Sequence, residues 1–342
     1  MSPNLEVKRL TDHVLIKKDV DETKENVFVP RWRFPDLGAQ LFLHLGGLYG
    51  LYLAFTSAKW QTNLWTFFLV YASGVGITAG AHRLWSHKSY KAKWPLRLLL
   101  AFLFTIAGQR HIYMWALDHR VHHKYSESDS DPHDARRGFW FSHVGWLVLT
   151  PKPEVEAKRA QVDMSDLEHD PIVMWQKRLF IPLFAIITIA IPVLVPWYYW
   201  DEDIITAFFL PFNTRFSATL NIAFSVNSFA HMYGNKPYDK FISPVENWFV
   251  SMSALGEGWH NYHHVFPWDY KTSEFGAYAY NLTTGFIDLM ARIGWAYDRK
   301  TASYDMVKRK ALKSGDGTWP SSWGYGDPDT PYDQVELVDK KN

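Results

Sequence analysis

Three histidine clusters constrain this chain more than any other feature. They are His82-Arg83-Leu84-Trp85-Ser86-His87, His119-Arg120-Val121-His122-His123 and Gly256-Glu257-Gly258-Trp259-His260-Asn261-Tyr262-His263-His264. A lone HxxHH arises by chance. Three clusters, each beside an apolar segment, read instead as one metal site gathered from distant parts of the chain. The fold must bring them to one place, on one side of whatever the apolar segments cross. Cysteine is absent from the 342 residues, which excludes disulfides, thiolate zinc sites and iron–sulfur clusters.

Mean hydropathy is −0.21, a soluble value. The average conceals blocks. Residues 37–55 carry no charge over 19 residues, enough to cross a hydrocarbon core. After a polar turn at 56–63, residues 64–81 form a second block whose Gly74, Gly76, Gly80 and Ala81 suit close helix packing in a membrane. The first cluster stands at its exit. Residues 96–107 are apolar but too short to span. A crossing there would put the first and second histidine clusters on opposite sides, so this reads as an interfacial or re-entrant helix. Residues 140–149 form a short apolar patch, expected to lie against the membrane surface. Residues 179–199 are a third block, in which Pro182, Pro192 and Pro196 are tolerable. The fourth, 204–229, is weaker because it holds Asn213, Arg215, Asn221 and Asn227, and polar groups at membrane depth are usually functional.

The expected fold is an all-α polytopic membrane protein. Four transmembrane helices in two hairpins (about 37–55, 64–81, 179–199 and 204–229) stand under a cytosolic helical cap carrying a histidine-rich di-metal site. The cap comes from 82–178, polar and charged from 117 on, and from 230–315, soluble in character from His231 onward. The whole of 35–315 is one domain, between a cytosolic tail at 1–34 and a loose tail at 316–342. The two short turns hold one positive residue, Lys59, so both termini and all three clusters face the cytosol. Residues 1–34 lack the apolar core of a signal peptide. Formal net charge is +1, so no global basic field points to nucleic acid.

His119, His122 and His123 stand at i, i+3 and i+4, as do His260, His263 and His264. On a helix each triplet shares one face and can aim at one small volume. His82 and His87 are five apart, about 140° around an ideal α-helix, so a helix end or an unwound turn must lie between them. Asn227 and His231 are again i, i+4. Nine histidines exceed what one ion can coordinate, so two metals are the natural count. His13, His44, His111, His133, His143 and His169 lack this spacing and are taken as non-ligands. Many neutral donors fit a hydrolytic zinc site poorly and redox metals with O₂ better. The adjoining membrane helices suggest a lipid substrate.

HRLWSH (82–87), HRVHH (119–123), NSFAH (227–231) and GWHNYHH (258–264) resemble the boxes of membrane acyl-CoA desaturases of the stearoyl-CoA desaturase type. GITAGAHRLWSHKSYKA, DPHDARRGFWFSHVGW, GNKPYD and HNYHHVFPWDY extend the likeness over about residues 30–315, with an insect flavour. The resemblance implies an endoplasmic reticulum membrane protein. It implies two iron ions held by His82, His87, His119, His122, His123, His231, His260, His263 and His264, with Asn227 reaching a metal through water. It implies an O₂-dependent insertion of a double bond into a long-chain acyl-CoA, of delta-9 or delta-11 type, in pheromone or lipid synthesis. Electrons would come from a separate cytochrome b5 and its NADH-dependent reductase, since no HPGG-type haem motif occurs.

Substrate contacts implied by the resemblance are Gln109 and Trp115 near a bend in an acyl tunnel, with Asp118, Arg136 and Arg137 toward the CoA or cap. Ala223 and Phe224 depart from the family's usual Thr-Trp at that bend. Leu117 replaces an arginine that commonly contacts the CoA head, and Arg110 and His111 depart from the usual polar pair. These departures leave the metal set whole and predict a product mix unlike that of a plain 9-desaturase. The competing readings are a membrane di-iron fatty-acid or sterol hydroxylase and a non-enzymatic haem or metal membrane protein. The first lacks the GNKPYD and DPHDARRGF context. The second would place its histidines within apposed spans rather than after them.

Overall fold

Proline opens the first helix and small residues decide which way it faces. Helix α1 (Phe34–Thr56) has Pro35 in its first turn, where the missing N–H costs no helical bond. Its large side chains Leu41, Leu45, Leu48, Tyr52 and Phe55 point outward, while Gly46, Gly47 and Gly50 are buried. Small inside and large outside inverts a soluble helix and suits lipid. The computed structural model describes residues 28–274 and 280–319, and the expected tails at 1–34 and 316–342 fall mostly outside them.

Helix α2 (Trp60–Ser86) is α-helical over Trp60–Val75 and π-helical over Gly76–Ser86. It runs past the expected end at 81 and carries the first histidine inside the helix. At Gly76 an added Cβ would sit 2.2 Å from the backbone nitrogen of Phe104, so glycine is what lets α3 (Trp94–Ala107) press against α2. Helix α3 is too short to cross a membrane and is buried along Leu96, Leu100, Ala101 and Phe104. Gly108, left-handed at φ +70°, ends it. Helix α4 (Ile112–Tyr125) follows, its Met114 N–H bonded by His111 Nδ1 at 3.1 Å.

Short helices α5 (Pro153–Arg159) and α6 (Pro171–Arg178) lead to α7 (Phe180–Trp200), which has a π-helical stretch over Phe184–Ala190. Helix α8 covers 204–232 through Ile204–Phe208, the π-helical Phe209–Thr214 and Arg215–Met232. Helices α1, α2 and α7 are long and apolar enough to cross a membrane. Arg215, one of the polar residues of α8, serves packing rather than chemistry. Arg215 is fully buried and donates to Ile106 O at 2.5 Å, Thr188 O at 2.8 Å and Pro211 O at 3.3 Å. It thereby satisfies carbonyls that a helix end and a π-turn leave open. The two hairpin turns meet: Lys59 Nζ donates to Trp200 O and Asp201 O, both at 2.6 Å, and Lys59 N donates to Glu202 at 2.9 Å.

Residues beyond α8 carry α9 (Trp248–Ser253), α10 (His260–Val265), α11 (Leu282–Arg292) and α12 (Tyr304–Ser314). Strand β1 (Lys91–Ala92) pairs antiparallel with β2 (Ala296–Tyr297). This region is less soluble in character than its sequence reads: Trp248, Phe249, Leu282, Leu289 and Ile293 are exposed. The patch at 140–149 is not simply a surface strip either. Phe141 and Val148 are buried, and His143 bonds into α8.

Candidate metal centre and its cavity

The π-turn resolves the spacing of the first cluster. An α-helix would leave His82 and His87 about 140° apart. In the π-helix the bonding step is i→i+5, and His87 N donates to His82 O at 3.1 Å. The two rings come to 4.8 Å between centroids.

The nine box histidines fall into two sets. His82, His87, His119, His123 and His263 place one ring nitrogen each within 4.8 Å of one another, and so do His122, His231, His260 and His264. The triplets therefore do not each aim at one volume, as their spacing suggests. In α4 the i, i+4 pair His119 and His123 joins the five-donor set, and His122 between them joins the four-donor set. In α10 the assignment reverses: His260 and His264 join the four, and His263 joins the five. Each helix thus braces both sets.

Within the five, Nε2 atoms of His82 and His263 are 3.0 Å apart, of His87 and His119 2.8 Å, and of His123 and His263 3.0 Å. Within the four, His260 Nε2 lies 3.1 Å from both His231 Nε2 and His264 Nε2. Two imidazoles bound at 90° on one ion at ~2.1 Å stand about 3.0 Å apart, so these are ligand edges. His122 Nε2 is buried with no partner, a lone pair aimed at the same place. Imidazole must be neutral to bind. Burial holds His87, His119, His123, His260, His263 and His264 well below the usual value, helped by neighbouring imidazoles. Burial pushes His122 down to about 3.

Carboxylates behind the rings orient them, and sequence reasoning gave them no role. Asp131 Oδ1 lies 2.9 Å from His122 Nδ1 and also accepts from His133 N at 3.1 Å. That partner fixes the His122 tautomer and frees Nε2 for a metal. Glu257 Oε2 lies 2.9 Å from His82 Nδ1. Its other oxygen is bonded by Arg83 Nε at 3.0 Å. Burial opposes ionisation of Glu257, but Arg83 and His82 overcome it and hold the carboxyl below its usual range. Arg83 is fully buried and also donates to Tyr270 O at 2.9 Å, Thr284 at 3.0 Å and Asn281 at 3.1 Å. Gly256, at φ +112°, admits this approach, since a Cβ would strike Asn281 at 2.5 Å. The signal available was position: Arg83 follows the first box histidine, Glu257 precedes the last box, and Asp131 opens the DPH run.

Among the histidines taken as non-ligands, His133 stands close, its ring 4.2 Å from that of His122, and with Asp131 and His122 it forms a third compact donor group. His44 bonds Gln40 O, His169 bonds Ser165 O, and His143 bonds Asn221 and Ser228. His13 lies outside the described residues.

Two cavities meet at the centre. The inner one is walled by Tyr71, Gly74 and Ile77 of α2, Thr219, Ile222 and Val226 of α8, and Leu255. Histidines 82, 119, 122 and 260 form one wall of it. The outer one is lined by Leu43, Gln109, Asp118, Trp146, Phe184, Phe216 and Phe224. Both share Trp115, His119, Ala223 and Asn227, where the path turns beside the histidines. The outer cavity adjoins a polar mouth through Asp36, Arg110 and Trp146, where Arg33, Glu156 and Arg159 also stand. Gln109, Trp115, Asp118, Ala223, Phe224 and Asn227 are thus on the path. Arg136 and Arg137 are not brought to it: Arg136 is tied to Asp134 and Asp129, and Arg137 lies 3.4 Å over the Phe141 ring. Arg33, Arg110 and Arg159 take the place at the mouth, with Arg159 bonded to Asp118 at 2.6 Å.

A helical chain with membrane-length helices, two converging imidazole sets and an apolar path beside them has the makings of a lipid-modifying metalloenzyme. The chain belongs to the fatty acid desaturase family, whose model matches residues 58–283. It is 55% identical over 303 residues to an acyl-CoA Delta-9 desaturase of Acheta domesticus, covering 88% of this chain and 84% of that protein. It is 50% identical to an acyl-CoA Delta(11) desaturase of Trichoplusia ni (85% and 83% covered). It is 52% identical to an acyl-CoA desaturase of Cyprinus carpio (81% and 84% covered).

Proposed function

We propose that this chain is an O₂-dependent acyl-CoA desaturase with two irons held by the two histidine sets. One observation carries the reading: two imidazole sets at ligand-edge spacing form the wall of a bent apolar path. When bound, the metal pair supplies the redox chemistry that activates O₂. The reaction removes one hydrogen from each of two adjacent chain carbons. Those hydrogens, with two electrons and two protons, reduce O₂ to two waters.

The protein's own residues hold and shield the chain. Trp115, Ala223 and Asn227 shape the turn, and the apolar walls keep bulk water from the reacting carbons. Asn227, one turn before His231, offers an amide to a water on the four-donor side. His87, His119, His123 and His264 are the partly exposed members of the two sets, and a separate cytochrome b5 fed by its NADH-dependent reductase would deliver electrons on that side. In this reading α8 is a fourth span, both termini and the cap are cytosolic, and the membrane is the endoplasmic reticulum. The meeting of the two hairpin turns at Lys59 and Glu202 supports that topology. Residues 35–315 act as one domain.

Expression in desaturase-deficient yeast tests the reading. Monounsaturated acids should appear, and purified protein should carry two irons per chain without a Soret band. An added oxygen instead of two lost hydrogens would favour a hydroxylase. The Ala223–Phe224 pair predicts products beyond ordinary 9-monoenes.

A further inference from the structure

Trp146 sits where the polar mouth and the outer cavity join, lining both. Its ring is held edge-on by Phe224 at 5.6 Å and by His133 at 5.4 Å. The π-turn that carries it, Phe141–Gly145, is clamped to α8. His143 Nε2 lies 3.0 Å from Asn221 Oδ1, and His143 Nδ1 lies 2.9 Å from Ser228 Oγ. Asn221 in turn reaches His44 of α1 at 3.1 Å. The indole is therefore positioned by three elements. Yet its Nε1 is buried and has no hydrogen-bond partner. An indole N–H is a donor only, with no tautomer to change, and a buried donor left unpaired is costly.

A second orphan belongs to a residue that lines the same cavity. Gln40 of α1 has a buried Oε1 with no partner. A fixed donor and an amide acceptor, at the change from polar mouth to apolar path, complement an acyl thioester and the secondary amide next to it. We propose that Trp146 Nε1 donates to the thioester carbonyl of the substrate, and that Gln40 Oε1 accepts from an adjacent amide N–H. The inference rests on the acyl-CoA reading. Its consequence is a ruler. The carbonyl is pinned at one end of the path and the histidines stand at the bend, so the carbon presented for reaction is counted from the carbonyl.

The test uses detergent-solubilised full-length protein loaded with iron, and compares palmitoyl-CoA with S-hexadecyl-CoA, the thioether that lacks the carbonyl. Wild type should bind the thioester about five-fold more tightly, the range of one hydrogen bond. Trp146→Phe, with unchanged iron content, should bind both equally and spread its double bonds over neighbouring positions. Gln40→Leu should weaken both ligands alike, since both keep the amide. Equal discrimination by Trp146→Phe and wild type would overturn the anchor alone. Failure of wild type to bind either CoA compound would overturn the acyl-CoA reading beneath it.

Discussion

The five-donor and four-donor sets are built from the same helices yet are held differently. The five-donor set is backed by an ionised, fully buried pair: Glu257 behind His82, and Arg83 behind Glu257. The four-donor set is backed by Asp131, whose carboxyl burial pushes up, with no arginine within salt-bridge reach among the described residues. The four-donor set has one nitrogen fewer and has Asn227 beside it on the cavity side. One set is over-supplied and rigid. The other keeps room for an exchangeable group.

The largest expected effect comes from removing a central donor from either set. His122→Ala or His263→Ala should abolish desaturation while membrane insertion persists, since the helices do not depend on the metal. Fatty acid profiling and fractionation of a yeast expressor check both halves. Retained activity would break the two-set assignment. A finer contrast is His87→Ala against His264→Ala. The first leaves four donors and should keep more iron per chain than the second, which leaves three.

The supporting carboxylates come next. Asp131→Asn and Glu257→Gln should each cost about 10–100-fold in metal affinity or activity. Glu257→Gln should also strand Arg83, a loss of roughly 3–5 kcal/mol for a broken buried pair, whereas Asp131→Asn strands no cation. Thermal melts of the metal-free variants separate the two. Equal melting temperatures would erase the difference drawn between the sets.

Acid should act through the buried imidazoles of both sets. Burial holds His122 and His133 at about 3, against an ordinary value near 6.5. Between these values the unfolded chain binds more protons than the folded one, so stability rises with pH. The contribution is full above about pH 6.5 and is lost progressively below it, at on the order of 1 kcal/mol per pH unit for each imidazole. Melting temperature of metal-free protein from pH 7 to pH 5 checks the direction. The smallest effect is at the bend. Ala223→Thr with Phe224→Trp should change the product ratio by a few-fold with little loss of turnover, read by chromatography of the monoenes.

Much of the centre was legible in the sequence because imidazole spacing is local. All nine box histidines converge, and the long apolar helices and the short α3 were readable from block length. What failed to show was anything decided by packing between distant segments. The i, i+3, i+4 rule put each triplet on one face but could not say that a face would straddle two sites. Arg83, Glu257 and Asp131 look like ordinary charges until the fold buries them. Arg215 read as functional because it sits in an apolar run, yet it closes carbonyls of α3 and α7. Arg136 and Arg137 follow from the resemblance as CoA or cap contacts, and their resting places on Asp134 and over Phe141 are set by the loop, with no local signal in the sequence.

The π-turn of α2 has a consequence for what mutation can reach. Over Gly76–Ser86 the chain winds so that residues five apart, not four, are bonded neighbours. Deleting any one residue between His82 and His87 would let that turn relax to ordinary α winding, in which neighbours four apart share a face. Both histidines could then still point together. Because the turn gives up its surplus residue, the chain beyond Ser86 would keep nearly the same direction, whereas a deletion in the α-helical Trp60–Val75 would rotate everything after it by about 100°. The π-turn is thus the one stretch of this helix able to give up a residue, and a survey of tolerated single deletions should find one there before it finds one in Trp60–Val75.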